Sequence, residues 1–183
     1  MKSSLIWLPA VAVAAVTPIY VYAGQYATAD EAARRAFPEA SSFKEGVFQL
    51  NAAQLRVVAD ATGLPEKPVL WRCLTAFDGE KAIGIVVFDG VIGKFELIDY
   101  AVGIGADGNI RNVEILAYRE SHGYEVRLPA WRKQFVGKNK ASKLRVSDDI
   151  SSISGATMSA THITDGVRRI VGVVDQLKAS GKF

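Results

Sequence analysis

Cysteine and histidine are nearly missing from this sequence of 183 residues, which contains one cysteine and two histidines. The single thiol, Cys73, excludes an intrachain disulfide, a CxxC redox pair, a CxxCH haem site and a cysteine-rich zinc site. His122 and His162 are far apart in the chain, and no cysteine cluster lies beside either of them. The sequence therefore predicts neither a metal centre nor a fold held by disulfides.

Two further absences narrow the range of functions. The formal net charge is only +3, because 22 lysines and arginines face 19 aspartates and glutamates. Such a small excess predicts no nucleic-acid partner. The G-x-S-x-G motif is also absent, which argues against a hydrolase. The length suits one domain with a substantial core.

Residues 1–23 are typical of an export segment. Lys2 gives a short positive start, and residues 5–23 contain no charged side chain. Residues 21–23 would suit signal peptidase, with cleavage before Gly24. An uncleaved anchor is the alternative, because the uncharged run approaches the roughly 20 residues that span a bilayer. Either way, we expect the remaining chain to be exported, periplasmic or anchored to the cytoplasmic membrane facing the periplasm.

Helical patterns come first after this segment, and strand patterns follow. Capping residues and apolar spacing predict helices over 28–36 and 51–62, within a helical N-terminal packing segment, 24–67. Runs of β-branched and aromatic residues then predict four strands, over 69–77, 81–88, 94–103 and 110–118. Asp-Gly pairs at 78–79, 89–90 and 107–108 separate them. This spacing indicates an antiparallel meander. Residues 103–108 fit G-x-G-x-x-G, but a strand pattern follows instead of the helix that a dinucleotide site requires.

The stretch Ser151-Ser152-Ile153-Ser154-Gly155-Ala156-Thr157-Met158-Ser159 precedes a predicted amphipathic helix. Apolar residues recur there with a 3.6-residue period, at Ile163, Val167, Ile170, Val171, Val174 and Leu177. Asp165 and Arg169 form an i,i+4 pair on the polar side. The first N–H groups of a helix lack intrahelical partners, so this glycine-containing, hydroxyl-rich turn is suited to a phosphate. The alternative is that its serines only cap the helix.

The tetrad Ser154-Gly155-Ala156-Thr157 resembles the S/T-G-A-T signature of FMN-binding domains. Those domains occur in the C subunit of the sodium-pumping NADH:quinone reductase and in the G subunit of the Rnf complex. In that family the last threonine carries FMN through a phosphodiester bond, which maps to Thr157. Met158 and Ser159 complete the predicted phosphate side of the site. Ser151 stands where family members usually carry Asp, with Asp148 and Asp149 just upstream.

The segment after the last predicted strand resembles the family's E-T-P-G-L-G loop, which lies over the isoalloxazine ring. Glu120 and Gly123 match that loop, whereas Ser121, His122 and Glu125 depart from it. A flavin ring needs a flat backbone surface, hydrogen-bond partners for its N3 and carbonyl edge, and apolar contacts. The predicted ring contacts are Glu120, His122, Gly123, Tyr124 and Trp131. For His122 the alternative is a solvated loop residue.

A short helix is predicted over 128–136, with Trp131 and Phe135 at i,i+4. That spacing also suits a core pair, which is the alternative for Trp131. A basic stretch follows, made up of Arg132, Lys133, Lys138, Lys140, Lys143 and Arg145. These residues either form a solvated face or favour anionic lipid headgroups or an acidic redox partner.

The resemblance implies an α+β fold, with an antiparallel β-meander flanked by helices, a long C-terminal helix and an FMN-binding domain over 68–180. It also implies a separate FAD- and magnesium-dependent flavin transferase, because a threonine hydroxyl is a poor nucleophile without a base or metal. Thr157 is then an acceptor, and no catalytic residue is predicted. We expect an extracytoplasmic electron-transfer flavoprotein with a membrane redox protein as its partner. The alternatives are a flavin-dependent reductase or oxidase acting on a soluble substrate, and a sensory or structural module.

Overall fold

The computed structural model of the protein describes residues 24–181, so the predicted export segment lies outside the described residues. Within that range the strands are β1 (Gly24–Gln25), β2 (Ser42–Phe48), β3 (Trp71–Asp78), β4 (Lys81–Ile92), β5 (Leu97–Gly105) and β6 (Ile110–Tyr118). The α-helices are α1 (Ala29–Ala36), α2 (Ala52–Thr62), α3 (Pro129–Arg132) and α4 (Thr157–Ala179). Short 3₁₀ helices at Tyr124–Arg127 and Lys133–Phe135 flank α3. None of the helices in 24–181 is both long and apolar enough to cross a bilayer.

The six strands form one antiparallel sheet in the order β1-β6-β5-β4-β3-β2. Strands β2 to β6 follow one another as a meander, which confirms the predicted α+β fold with its long C-terminal helix. At one end of the sheet, Val91 pairs with Ile98, Ile98 with Tyr118, and Tyr118 with Gly24. This row brings the β4–β5 turn and the loop after β6 to the same end of the sheet.

The two faces of the sheet are covered by different helices. Because successive strand side chains point to opposite faces, Ile85 and Val87 belong to the core beneath α2 and α4, whereas Val86 packs towards α1. The large core is therefore on the α4 side. Helix α4 is long enough to run across this face from the end of the sheet where the β4–β5 turn lies.

The residues that begin and end the N-terminal helices lie where the sequence predicts them. Thr28 caps α1 in a capping box with Glu31, and Asn51 caps α2 with Gln54. Gly63 ends α2 in the left-handed conformation, at φ 68°. The glycines at 103–108 shape the β5–β6 hairpin, as expected from the strand pattern that follows them.

Several expectations need correction. Strands β1 and β2 in segment 24–67 were not predicted, because β1 has two residues and β2 is a largely exposed edge strand without an alternating pattern. The Asp89-Gly90 pair lies inside β4, not at a turn. The expected pair between Asp165 and Arg169 is wrong, since Asp165 pairs with Arg168 at 2.8 Å. Arg168 is held on that side because its guanidinium also donates to backbone carbonyls of Thr62 and Leu144.

Candidate functional site

A pocket of about 390 Å³ opens at the N-terminal end of α4. Its walls come from the β4–β5 turn, the loop after β6, and the turn that leads into α4. The lining residues are Lys94, Phe95, Glu120, Ser121, His122, Gly155, Ala156, Thr157, Met158 and Ser159. The sheet register explains this assembly, since it places the first two walls side by side and α4 starts next to them.

Seven of the predicted site residues line this pocket: Glu120, His122, Gly155, Ala156, Thr157, Met158 and Ser159. Four others lie outside its lining. Ser154 is exposed in the preceding turn. Tyr124 is 55% exposed, and its ring lies 5.7 Å from the Arg127 guanidinium. Trp131 is buried against Phe135, with ring centroids 5.1 Å apart. The fourth, Gly123, packs behind the wall formed by Ala156.

Lys94 and Phe95 were not among the predicted site residues. The sequence pattern assigned both to a strand over 94–103, whereas β5 begins only at Leu97 and the two residues lie in a turn. Phe95 is 73% exposed, which is unusual for a phenylalanine side chain. Only the tertiary assembly reveals that this turn faces the start of α4.

The N-terminus of α4 is not capped by a side chain. Its N-cap residue is Ala156, and among the described residues no side chain accepts a hydrogen bond there. The nearby serines therefore do not act as caps, in contrast to Thr28 and Asn51 at α1 and α2. Gly155 makes the entry turn at φ 79°, and no atom of residues 24–181 would lie within 4 Å of an added Cβ. Uncapped N–H groups, the helix dipole and the Lys94 ammonium together favour an anion in the pocket.

Glu120 ties two walls of the pocket together. Its Oε1 accepts hydrogen bonds from the N–H groups of Phe95 at 2.7 Å and Glu96 at 3.0 Å. Burial raises the pKa of Glu120, but these donors and the Lys94 charge outweigh burial, so the pKa lies below its ordinary 4.5. The group is therefore a carboxylate at neutral pH, and it can only accept hydrogen bonds.

Beneath the pocket, the loop after β6 is in close contact with the start of α4. The Tyr118 hydroxyl donates to the His122 carbonyl oxygen at 2.5 Å and lies 3.4 Å from Ser159 Oγ. Burial raises the pKa of Tyr118, so the phenol stays protonated. Gly123 has φ 83°, and a Cβ there would lie 2.7 Å from the Tyr118 hydroxyl and collide with the Ala156 methyl group. The loop after β6 thus fits directly against the tetrad only with glycine at 123.

The turn before α4 is also fixed from outside the pocket. The Trp131 indole Nε1–H donates to the Ser151 carbonyl oxygen at 2.9 Å, and the Ser151 N–H donates to Gln134 Oε1 at 2.8 Å. Asp149 accepts from the N–H groups of Leu144 and Arg145. Trp131 is thus a core residue that positions the turn by its indole group.

The predicted basic stretch is largely neutralised by ion pairs. Arg132 pairs with Glu114 at 2.8 Å, Lys138 with Asp149 at 3.2 Å, and Lys140 with Asp175 at 2.8 Å. The Arg132–Glu114 pair is almost buried, with 12% and 6% of the two side chains exposed. These ion pairs reduce the positive charge that the stretch offers to anionic lipid headgroups or to an acidic redox partner.

The site combines an anion-binding helix start with exposed apolar side chains, Phe95 and Met158, at its edge. This combination suits a phosphorylated cofactor with a flat ring, because a helix start can bind a phosphate and apolar side chains can contact a ring. The fold and the site therefore define an α+β domain of the kind that binds a nucleotide-like cofactor. The residues present fit FMN.

Comparison with known proteins shows what this region is similar to. Residues 93–172 match the family model of the FMN-binding domain. The chain is also 25% identical over 156 residues to the G subunit of the Na⁺-translocating ferredoxin:NAD⁺ oxidoreductase complex of Acetobacterium woodii, an alignment that covers 80% of this chain and 73% of that protein. The resemblance drawn from the tetrad is confirmed. Residues 93–172 thus resemble an FMN-binding domain and the Rnf G protein, and both findings support FMN as the cofactor.

Proposed function

We propose that this protein is an extracytoplasmic electron-transfer flavoprotein, that its FMN is linked to Thr157 by a phosphodiester bond, and that it exchanges electrons with a membrane redox partner. The FMN-binding domain and the similarity to one component of a ferredoxin:NAD⁺ oxidoreductase complex support a flavoprotein in electron transfer. That relative's complex translocates Na⁺, and an ion can be translocated only across a membrane. This supports a partner in the membrane.

The observation that carries the covalent proposal is the position of Thr157. It is the first residue of α4, its side chain is exposed, and it lines the pocket directly beside the uncapped helix start. A phosphate that accepts hydrogen bonds from this helix start would lie next to the threonine hydroxyl. Lys94 lines the same pocket and would offset part of the phosphate charge.

Attachment is a phosphoryl transfer from FAD. The Thr157 oxygen forms a bond to the phosphorus of the FMN half, the pyrophosphate P–O bond breaks, and AMP leaves with the electron pair. His122 lines the pocket, but among the described residues no hydrogen bond joins it to Thr157, whose hydroxyl lies 3.5 Å from the Ile153 carbonyl oxygen. We therefore assign the removal of the hydroxyl proton to a separate FAD- and magnesium-dependent flavin transferase.

When bound, FMN supplies one- and two-electron redox chemistry. We propose that Gly155, Ala156 and Ser159 hold its phosphate side together with Thr157, while Met158 shields the ring. Glu120 and His122 would face its polar edge. Gly123 and Trp131 would act by positioning, and Ser154 and Tyr124 would lie at the periphery. The same proposal includes a domain boundary between residues 67 and 68 and an export segment over residues 1–23. The region that matches the family model, 93–172, lies inside the proposed domain.

Intact mass after co-expression of the full chain with a flavin transferase tests the covalent link. We expect the wild-type protein to gain one FMN minus one water, and Thr157→Ala to gain nothing. Ser152→Ala is the matched control, because it removes an exposed hydroxyl from the same turn but not from the pocket. An adduct of equal yield on Thr157→Ala would refute the link. Rapid turnover of a small-molecule reductant by the loaded protein would favour the reductase alternative over the carrier.

A further inference from the structure

The β4–β5 turn, residues 93–96, is fastened to the loop after β6. The turn is closed by its own hydrogen bond, from the Gly93 N–H to the Glu96 carbonyl oxygen at 2.8 Å. One carboxylate oxygen of Glu120 then accepts hydrogen bonds from the N–H groups of both Phe95 and Glu96. Two charge-assisted hydrogen bonds to adjacent N–H groups fix the orientation of the peptide units as well as their position.

A histidine of α4 fastens the other side of the same turn. His162 Nδ1 lies 2.6 Å from the Ile92 carbonyl oxygen and 3.2 Å from that of Gly93. Since a carbonyl oxygen only accepts hydrogen bonds, Nδ1 carries the proton. His162 follows Ser159 by three residues, so both lie on the same side of α4. The helix thus lines the pocket with one residue and holds the turn with the other.

Gly93 shows how closely the turn approaches the other two walls. A Cβ at this position would lie 2.5 Å from Glu120 Oε1 and 3.1 Å from Ser159 Oγ. Real Cβ atoms do not come within 2.5 Å of a neighbour, so a side chain at residue 93 would displace the Glu120 carboxylate that holds the turn. The turn is therefore built into the pocket and not merely near it.

We propose that this turn is the third wall of the FMN site, that Lys94 and Phe95 contact the cofactor, and that His162 is the positioning residue that keeps them there. The inference rests on the proposed function of the pocket. Phe95 leaves 73% of its surface exposed at the pocket edge, and Lys94 Nζ lies 4.9 Å from the centre of its ring. An exposed aromatic ring and an adjacent ammonium offer a flat, anionic cofactor an apolar contact and a charge.

Reversible FMN binding to the Thr157→Ala protein tests the two contact residues, since this variant cannot form the covalent link. FMN is titrated into the protein and its fluorescence is followed. We expect Phe95→Ala to weaken binding about threefold to tenfold, as for loss of one aromatic contact, and Lys94→Met to weaken it by a similar factor. Leu70→Ala and Lys44→Met remove an exposed apolar and an exposed charged side chain outside the pocket, and should leave the affinity unchanged.

His162 is tested by a pair of variants in the same Thr157→Ala background. His162→Ala should weaken FMN binding and speed amide hydrogen exchange at Phe95 and Glu96 in the FMN-free protein. Asparagine can place an N–H donor where Nδ1–H lies, so His162→Asn should restore both. Exchange at Val102 and Val113, in the centre of the sheet, should not change in either variant. A role of His162 in general stability would instead alter all four amides.

Different results would overturn the proposed function and the role of the turn. If the wild-type protein gains no FMN adduct and the Thr157→Ala protein binds no FMN, the proposed function falls and this inference falls with it. If it binds FMN and the Phe95, Lys94 and His162 variants bind equally well, only this inference is overturned. If His162→Ala and His162→Asn show the same FMN affinity and the same amide hydrogen exchange, His162 is not a positioning residue.

Discussion

Replacing Gly123 by alanine should strain the protein in two separable ways. The residue has φ 83°, a conformation that costs an L-residue about 1–2 kcal/mol. The added methyl group would also collide with Ala156 and lie 2.7 Å from the Tyr118 hydroxyl, and overpacking of this kind costs about 1–3 kcal/mol. We therefore expect the free energy of unfolding to fall by about 2–5 kcal/mol.

Gly137 provides the matched control for this experiment. Its φ is 80°, almost the same as that of Gly123, but an added Cβ would meet no atom within 4 Å. Gly137→Ala should therefore show the backbone cost alone, about 1–2 kcal/mol. The difference between the two variants isolates the steric contact between the loop after β6 and the tetrad.

Urea denaturation at neutral pH measures both variants, and absorbance of the purified protein measures its FMN content. Gly123→Ala should lose stability and FMN together, because the clash displaces Ala156 at the start of α4. Gly137→Ala should lose some stability and keep its FMN. Equal destabilisation of the two variants would refute the close packing that we describe beneath the pocket.

Two further predictions concern charged groups outside the pocket. Glu114→Ala should lower the free energy of unfolding by about 3 kcal/mol in urea denaturation, because it leaves the nearly buried Arg132 without its carboxylate partner. The control is Glu45→Ala, which removes the partner of Arg72 from a pair exposed at 82% and 70% and should cost less than about 1 kcal/mol. Similar costs for both variants would contradict this expectation. Burial raises the pKa of Asp149, but hydrogen bonds from Arg145, Lys138 and Leu144 outweigh it and hold the pKa below its ordinary 3.8. The unfolded chain therefore binds this proton at higher pH than the folded chain, so the stabilisation is complete above the unfolded value and is lost as the pH falls through the folded one. Asp149→Asn should accordingly destabilise the protein more at about pH 7 than at about pH 2, and a destabilisation that does not change with pH would exclude this linkage.

The parts of the fold that sequence alone predicted are those with local causes. The capping residues Thr28 and Asn51 mark the starts of two helices within a few residues, and the β-branched pattern marks β6 from end to end. Strand β2 escaped prediction because it pairs on one side only and its exposed residues carry no alternation. Its strand conformation comes from pairing with β3, which is information that a local pattern does not contain.

The same distinction applies to the candidate site. The tetrad is contiguous in the chain, and the Glu120 loop follows a recognisable strand, so sequence alone could predict both as parts of one candidate site. Lys94, Phe95 and His162 contribute through contacts between distant segments, and nothing in the local sequence around them indicates a site. Trp131 had two interpretations on its spacing with Phe135, and the structure places it in the core.

The backbone of Ser151 is held by hydrogen bonds, whereas its side chain is not part of these contacts. Its N–H and carbonyl groups are both held by side chains of the segment around α3, while its own side chain is exposed to solvent. The contacts that hold this turn therefore involve the backbone of residue 151 and not its side chain. Substitutions of Ser151 by residues other than proline, which would remove the N–H donor, should cost the fold little.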